Sequence, residues 1–329
     1  MAHRIENEEI AYVGETPWHG LGTRMPAGAS AEEMLAAAKL AWEVALAPVT
    51  VDPHWRGGKA TQADLFAAAL PVKAIIRSDN GRYFGMTSGR YTPVQNRETV
   101  AFFQEFCDRG EVALETVGAI KGGEWVWALA KVNEDAINID GDLIEPYLLI
   151  ANSHVPGRSV VVKATLIRVV CHNTLTLSLR ETSQEYGRFP HNRDILRNLA
   201  NARSYVRAAL RYQRRFHDAV ATLIRTPVNE ETAVGLIERV FKVKPEAEGL
   251  KRILALFGGK QIGADTMSTV DANAWGLFNA VTQYLDYEVG RSQDNRLRSA
   301  WFGQGEKIKS KLLVDLLALS GVNKTEGVL

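Results

Sequence analysis

Apolar and polar positions alternate with period two over short stretches in the first half of the chain, and the period becomes helical in the second half. Glu43 to Val51, Val72 to Arg77 and Arg82 to Thr87 read as strands. The last two are joined through Asp79-Asn80-Gly81, where Asn and Gly tolerate positive φ and close a hairpin. Glu111 to Ile120 and Trp125 to Val132 flank Lys121-Gly122-Gly123-Glu124 and predict a second hairpin, with Trp125, Trp127 and Leu129 on one face toward a core. Tyr147 to Ala151 and Ser159 to Cys171 supply two more strands, separated by His154-Val155-Pro156-Gly157. Two helices fit among them: Ala31 to Ala41 behind a Ser30 cap, and Arg97 to Arg109, where Val100, Phe103 and Phe106 lie at i, i+3, i+6.

Helical periodicity then carries Asn192 to Leu223, Glu230 to Val240, Glu246 to Leu256, Ala272 to Val289 and Glu306 to Leu319, with Gly258-Gly259 and Gly303 to Gly305 as breaks. The expectation is an α+β fold, mainly antiparallel and β-rich over residues 1–190 and helical over residues 191–329. With no low-complexity linker near residue 190, the two lobes read as one packed body.

Composition narrows the classes. A chain of 329 residues with 46% hydrophobic and 23% charged residues can bury a core without disulfides or metals. Two cysteines, Cys107 and Cys171, suit a reducing compartment, with core packing as the default role for Cys107. The chain opens on a polar run, and no apolar run approaches the roughly 18 residues of a membrane span, so a cytoplasmic protein with no membrane partner is expected.

The net charge of +1 conceals an asymmetry. Between Arg188 and Arg215 stand eight arginines against one acid, Asp194, so this segment carries +7 and the remainder −6. On a helix, Arg193, Arg197, Arg203, Arg207, Arg211, Arg214 and Arg215 fall within an arc of roughly 120° along more than about 30 Å. Tyr205, Val206, Ala209, Tyr212, Phe216 and Val220 take an apolar face. Guanidinium forks so aligned match phosphates. They also match carboxylates of another element or partner, or simply face solvent.

Candidate chemistry lies at two strand ends, Asn152-Ser153-His154 and Arg168-Val169-Val170-Cys171-His172-Asn173-Thr174. Neighbours on a strand point to opposite faces, so neither Ser153 with His154 nor Cys171 with His172 forms a dyad. Pairing across strands stays open, and a pocket of His19, Asn152, Ser153, His154, Arg168, Cys171 and Asn173 is the catalytic alternative. Asn173 and Thr174 as caps, and Cys171 as core, account for the same residues without chemistry. The histidines have no metal-ligand spacing, and Phe257-Gly258-Gly259-Lys260-Gln261 and Gly303-Gln304-Gly305 lack the phosphate-loop and dinucleotide patterns; no metal and no cofactor is expected. Pro17-Trp18-His19-Gly20-Leu21-Gly22 either plugs a sheet end or offers Trp18 and His19 to a base.

Together these residues resemble a family of phage/plasmid-like proteins built on a domain of unknown function. The resemblance rests, in order, on Ala11 to Glu15 with Pro17 to Gly22, on Tyr91-Thr92-Pro93-Val94-Gln95-Asn96, on Asn152-Ser153-His154, on Arg168 to Leu175 and on Trp275 to Asp286. One departure is Val155-Pro156-Gly157, where the family commonly carries Asp-Gly after Ser-His. The resemblance implies a mobile-element setting in a bacterial host and supplies no catalytic residues. The function expected from all this is non-enzymatic, non-sequence-specific binding of single-stranded DNA in recombination or strand annealing, by an oligomer. The seven arginines would follow the phosphates, and Trp18 and Tyr91 would stack on bases. The alternatives are an enzyme using His154, Arg168, Cys171 and Asn173, and a protein-interaction module acting on a host factor.

Overall fold

In the computed structural model, residues 9–14, 22–50, 70–133, 137–139, 142–168, 173–175, 186–201, 218–244, 247–258, 272–290 and 293–321 are described. The strands are β1 (Ile10–Val13), β2 (Thr23–Met25), β3 (Val44–Pro48), β4 (Val72–Arg77), β5 (Tyr83–Ser88), β6 (Val112–Ile120), β7 (Trp125–Val132), β8 (Ile137–Ile139), β9 (Asp142–Ser153), β10 (Ser159–Arg168), β11 (Asn173–Leu175) and β12 (Tyr186–Pro190). The labelled helices are α1 (Ala31–Ala37), α2 (Asn96–Ala101), α3 (Gln104–Asp108), α4 (Ile195–Asn201), α5 (Glu230–Phe241), α6 (Glu248–Phe257), α7 (Ala274–Gln283), α8 (Gln293–Phe302) and α9 (Gln304–Leu319). Helical turns also cover 218–224. The fold is α+β, with strands concentrated in the first half and helices in the second.

The larger sheet runs β11-β10-β9-β7-β6-β1-β2, with β12 also beside β10 and β8 beside β9; β3, β4 and β5 form a separate sheet. All pairs are antiparallel except β1 with β2. Both expected hairpins form. In the turn from β6 to β7, Gly122 and Gly123 have φ of 61° and 95°, and a Cβ would lie 2.2 Å from Arg82 Nη1 at the first and 2.6 Å from Trp42 at the second. Only glycine fits there.

Alternation along the strands buries both faces of this sheet. Val126, Ala128 and Ala130 of β7, Leu148 and Ile150 of β9, and Val160 and Val162 of β10 pack with Met34, Leu35, Phe103 and Phe106 of the α1–α3 layer. Trp125, Trp127 and Leu129, facing a core as expected, join Ile10, Tyr147, Leu149 and Ala151 on the opposite face, where Ala300 of α8 reaches them. A third cluster lies among the helices, from Ala219 through Leu236, Ile253, Phe278 and Leu312 to Leu317. Ile195 and Leu199 of α4 pack with the sheet's first face.

Several element ends depart from the sequence expectation for identifiable reasons. Ser30 caps α1 in a reciprocal capping box with Glu33. That helix stops at Ala37 rather than Ala41 because Lys39 turns left-handed at φ 57°, and Leu40 and Lys39 donate back to Leu35 and Ala36. The Arg97 to Arg109 helix divides into α2 and α3, yet keeps Val100, Phe103 and Phe106 buried. Strand β9 begins five residues before Tyr147. Its Pro146, which has no N–H to donate, falls between the stretch paired with β8 and the stretch paired with β7.

Candidate functional site

Two of the sequence motifs meet in a buried polar cluster where β9 ends. Asn152 Nδ2 donates to the Val94 carbonyl at 2.8 Å. His154 Nε2 meets Asn96 Oδ1 at 2.9 Å, while Asn96 Nδ2 donates to the carbonyls of Leu40 and Trp42 at 3.0 and 3.1 Å. Because that amide's N–H groups are committed to carbonyls, its oxygen faces the imidazole, so Nε2 carries the proton and Nδ1 is the acceptor. The ring sits edge-on to Trp42 and stacks on Phe84, at centroid distances of 5.5 and 5.6 Å. Ser153 points to the other face and donates to the Glu124 carbonyl at 3.2 Å. None of the three residues has exposed surface.

Charge is buried beside them. Arg77 Nη2 donates to Glu9 Oε1 at 2.6 Å, Nε to Asp79 at 2.7 Å and Nη1 to the Gly122 carbonyl at 3.1 Å, and the guanidinium lies 4.2 Å from the centroid of the Trp42 ring. His191, just after β12, contacts the Thr92 carbonyl through Nδ1 at 3.1 Å and stacks on Tyr91 at 4.8 Å. Tyr91, expected to stack on a base, has one ring face against this histidine.

A second polar cluster, missed by sequence reasoning, lies between the helices and the sheet's other face. Asn279, Thr282, Gln283 and Asp286 recur at i, i+3, i+4, i+7, and all four are buried. α7 continues from Gln283 into a π-turn over Tyr284–Glu288, a wide turn of the kind often found at functional sites. From that turn Asp286 receives Lys309 Nζ of α9 at 2.9 and 3.2 Å. Lys163 and Thr165 of β10 are buried on the sheet side. α7 also contacts β11, which carries Asn173. The stripe was visible in principle, since four polar residues share one face of an otherwise apolar helix.

Residues 83–301 match the family described as Domain of unknown function (DUF932). The chain belongs to this family. No curated protein and no solved structure matches it. The DUF932 match takes in Tyr91 to Asn96, Asn152 to His154, Lys163 and the α7 stripe, whereas Glu9, Arg77 and Lys309 lie outside its span.

Of the other expected site residues of this DUF932 chain, Arg168 and Asn173 lie at the far end of the sheet's strands from His154. Arg168 pairs with Asn173 on β11 and with Ile144 on β9. Ile144 and Ser153 stand at opposite ends of β9, about 30 Å apart at the usual rise per residue. The register therefore separates His154 from Arg168 and Asn173, and these residues do not form one pocket. Trp18, His19 and Cys171 lie outside the described residues, as do Arg203, Arg207, Arg211, Arg214 and Arg215. Arg193 is exposed before α4, and exposed Arg197 pairs with Asp194 at 2.9 Å. Among the described residues, no three His, Cys, Asp or Glu side chains could hold a metal, and no helix is long and apolar enough to cross a membrane.

Burial sets the protonation states in the first cluster. It pushes the His154 imidazole down to about 3, helped by the positive charges of His191 and Arg77. Burial likewise lowers His191, against the opposing carbonyls of Thr92 and Ser153. His154 is thus a neutral core residue, and its Nδ1 has no hydrogen-bond partner. Since the unfolded histidine titrates near about 6.5, the unfolded state binds an extra proton below that pH, and stability falls as pH drops. His154→Leu should remove a contribution of about 2 kcal/mol between pH 6.5 and 5 from the urea-unfolding profile. A profile of unchanged slope would show that the imidazole is not held neutral.

Proposed function

We propose that the protein binds single-stranded nucleic acid without sequence specificity and without catalysing a reaction, through the arginine-rich segment 188–215. In this reading it serves DNA recombination or strand annealing as an oligomer, in the cytoplasm of a bacterial host and on behalf of a phage or plasmid. Residues 1–190 and 191–329 act as two lobes of one body. The observation that carries the reading is the shortage of acids: eight arginines stand against Asp194 alone, and Asp194 is already paired with Arg197. Lysines would serve solubility as well, whereas planar guanidinium groups favour bidentate phosphate contacts. The full hydrogen-bonding of Ser153 and burial of His154 speak against catalysis at that strand end. Trp18 and Tyr91 are the residues proposed to stack on bases.

The test is fluorescence anisotropy with a labelled single-stranded oligonucleotide and its duplex, titrated with salt. If seven arginines contact phosphates, affinity for the single strand should fall about a thousandfold between 50 and 200 mM salt. Arg203→Glu with Arg207→Glu should weaken binding by at least about tenfold and flatten the salt slope. Equal binding by the double variant overturns the assigned surface. Salt-sensitive binding to an acidic protein, with none to DNA, transfers the arginines to a host-factor interaction.

A further inference from the structure

On the sheet face that carries Trp127 and Leu149, side chains from three neighbouring strands gather around one hydroxyl. In β6, Leu114 pairs with Ala130 and Thr116 with Leu129, which leaves Glu115 as the extra residue of a β-bulge. Leu114 and Val117 both join the core on the α1–α3 side, so Glu115 and Thr116 together take the opposite face. There Tyr147 of β9, only 4% exposed, donates its hydroxyl to Glu145 Oε2 at 3.0 Å. Glu115 hydrogen-bonds the same hydroxyl. Lys131 of β7, in register with Tyr147, pairs with Glu145 Oε1. Around this group, β1 sets buried Tyr12 opposite Thr116, β10 sets Thr165 beside Tyr147, and α8 reaches the same face through Ala300.

A tyrosine hydroxyl has one proton to give and two lone pairs to offer. Two carboxylates therefore cannot both accept from Tyr147, and the ammonium of Lys131 touches Glu145. We propose that Glu115 brings its own proton to the group, so that Glu115, Tyr147 and Glu145 form a proton-gated latch tying the β6 bulge to β9 across β7. With Glu115 protonated, the acid donates to the Tyr147 oxygen, and Tyr147 donates to Glu145, which also receives Lys131. With Glu115 ionised, two anions flank one hydroxyl proton, and half-buried Glu115 turns to water and opens the latch. The surroundings favour the proton. Burial raises the Glu115 pKa above its ordinary value and the charge of Glu145 adds to the rise, while the Tyr147 hydroxyl and Lys131 oppose it. An unfolded glutamate titrates near about 4.3, so the latch contributes its full stability below that pH, and the contribution is lost as pH rises through the folded Glu115 midpoint.

The experiment is an NMR titration of the full chain that follows Glu115 13Cδ and Tyr147 13Cζ upward from about pH 4. The Glu115 midpoint should lie above about 4.3, and Tyr147 should report a step at that same midpoint. Glu145→Gln removes a neighbouring anion and frees the hydroxyl proton for Glu115, so the midpoint should move down. Lys131→Met removes the nearby cation and should move it up, giving two substitutions with shifts of opposite sign. Glu115→Gln, whose amide donates to Tyr147 at every pH, should abolish the Tyr147 step. Should Glu145→Gln fail to fold, Lys131→Met carries the charge test, since the Lys131 side chain is 35% exposed and its loss is mild. The latch is refuted by a Glu115 midpoint at or below the ordinary value, by a midpoint that either charge variant leaves in place or moves the other way, or by a Tyr147 step that survives Glu115→Gln.

Discussion

Arg77→Met should destabilise the protein by about 3–5 kcal/mol, because it strands the Glu9 carboxylate inside the fold. Glu9 and Arg77 are 2% and 3% exposed, and Glu9 Oε1 is 2.6 Å from the guanidinium, while Oε2 has no hydrogen-bond partner. Burial by itself lowers the Arg77 pKa, but the hydrogen bonds to Asp79 and Glu9 outweigh it and raise the value. The charged pair is thus the working state. Asp79 loses less from the substitution, since its side chain is 45% exposed and water can replace the arginine. Urea unfolding of the single variants and of Arg77→Met with Glu9→Leu separates the pair from its packing. The double variant should recover most of the loss, because replacing both partners by apolar groups is often near neutral. A loss below about 1 kcal/mol in Arg77→Met would mean that Glu9 escapes to solvent.

Asp286→Ala is the second large effect, again about 3–5 kcal/mol, for the same reason at the junction of sheet and helices. It removes the carboxylate that bridges Lys309, a lysine with no exposed surface, and it does so inside the polar stripe of α7. Rescue by Lys309→Met distinguishes a charge left behind from a damaged π-turn. If the double variant is no more stable than Asp286→Ala, the turn itself is the source. Because Asp286 falls within the family match and Lys309 beyond it, the pair joins the shared region to this chain's last described helix.

The candidate chemistry was only partly legible in the sequence. Asn152, Ser153 and His154 stand out by type, but local alternation says only that adjacent side chains part company. A site and a satisfied core look alike at that level. The difference lies in Asn96, Trp42 and Phe84, which surround His154 from positions 58, 112 and 70 residues earlier in the chain. Arg77 and Glu9 are separated by 68 residues, and no period connects them. The pairing of Arg168 with Ile144, which separates Arg168 from His154, is likewise a matter of strand register.

Sequence by itself determined the elements whose reasons are local. These are the Gly122-Gly123 turn, the Ser30 cap, the one-sided spacing of Trp125, Trp127 and Leu129, the helical second half and the arginine excess after residue 188. Each depends on side chains within a few residues, where backbone preference and periodicity act directly. Tertiary structure decided that β7 is covered on both faces, that β1 and β2 complete the sheet, and that His154 is core. It also buried Lys163 and joined Lys309 to Asp286. Those outcomes depend on contacts between residues far apart in the chain, and on loss of water around them. Desolvation changes what a histidine or a lysine is chemically, and it exists only once the distant partners have closed over the group.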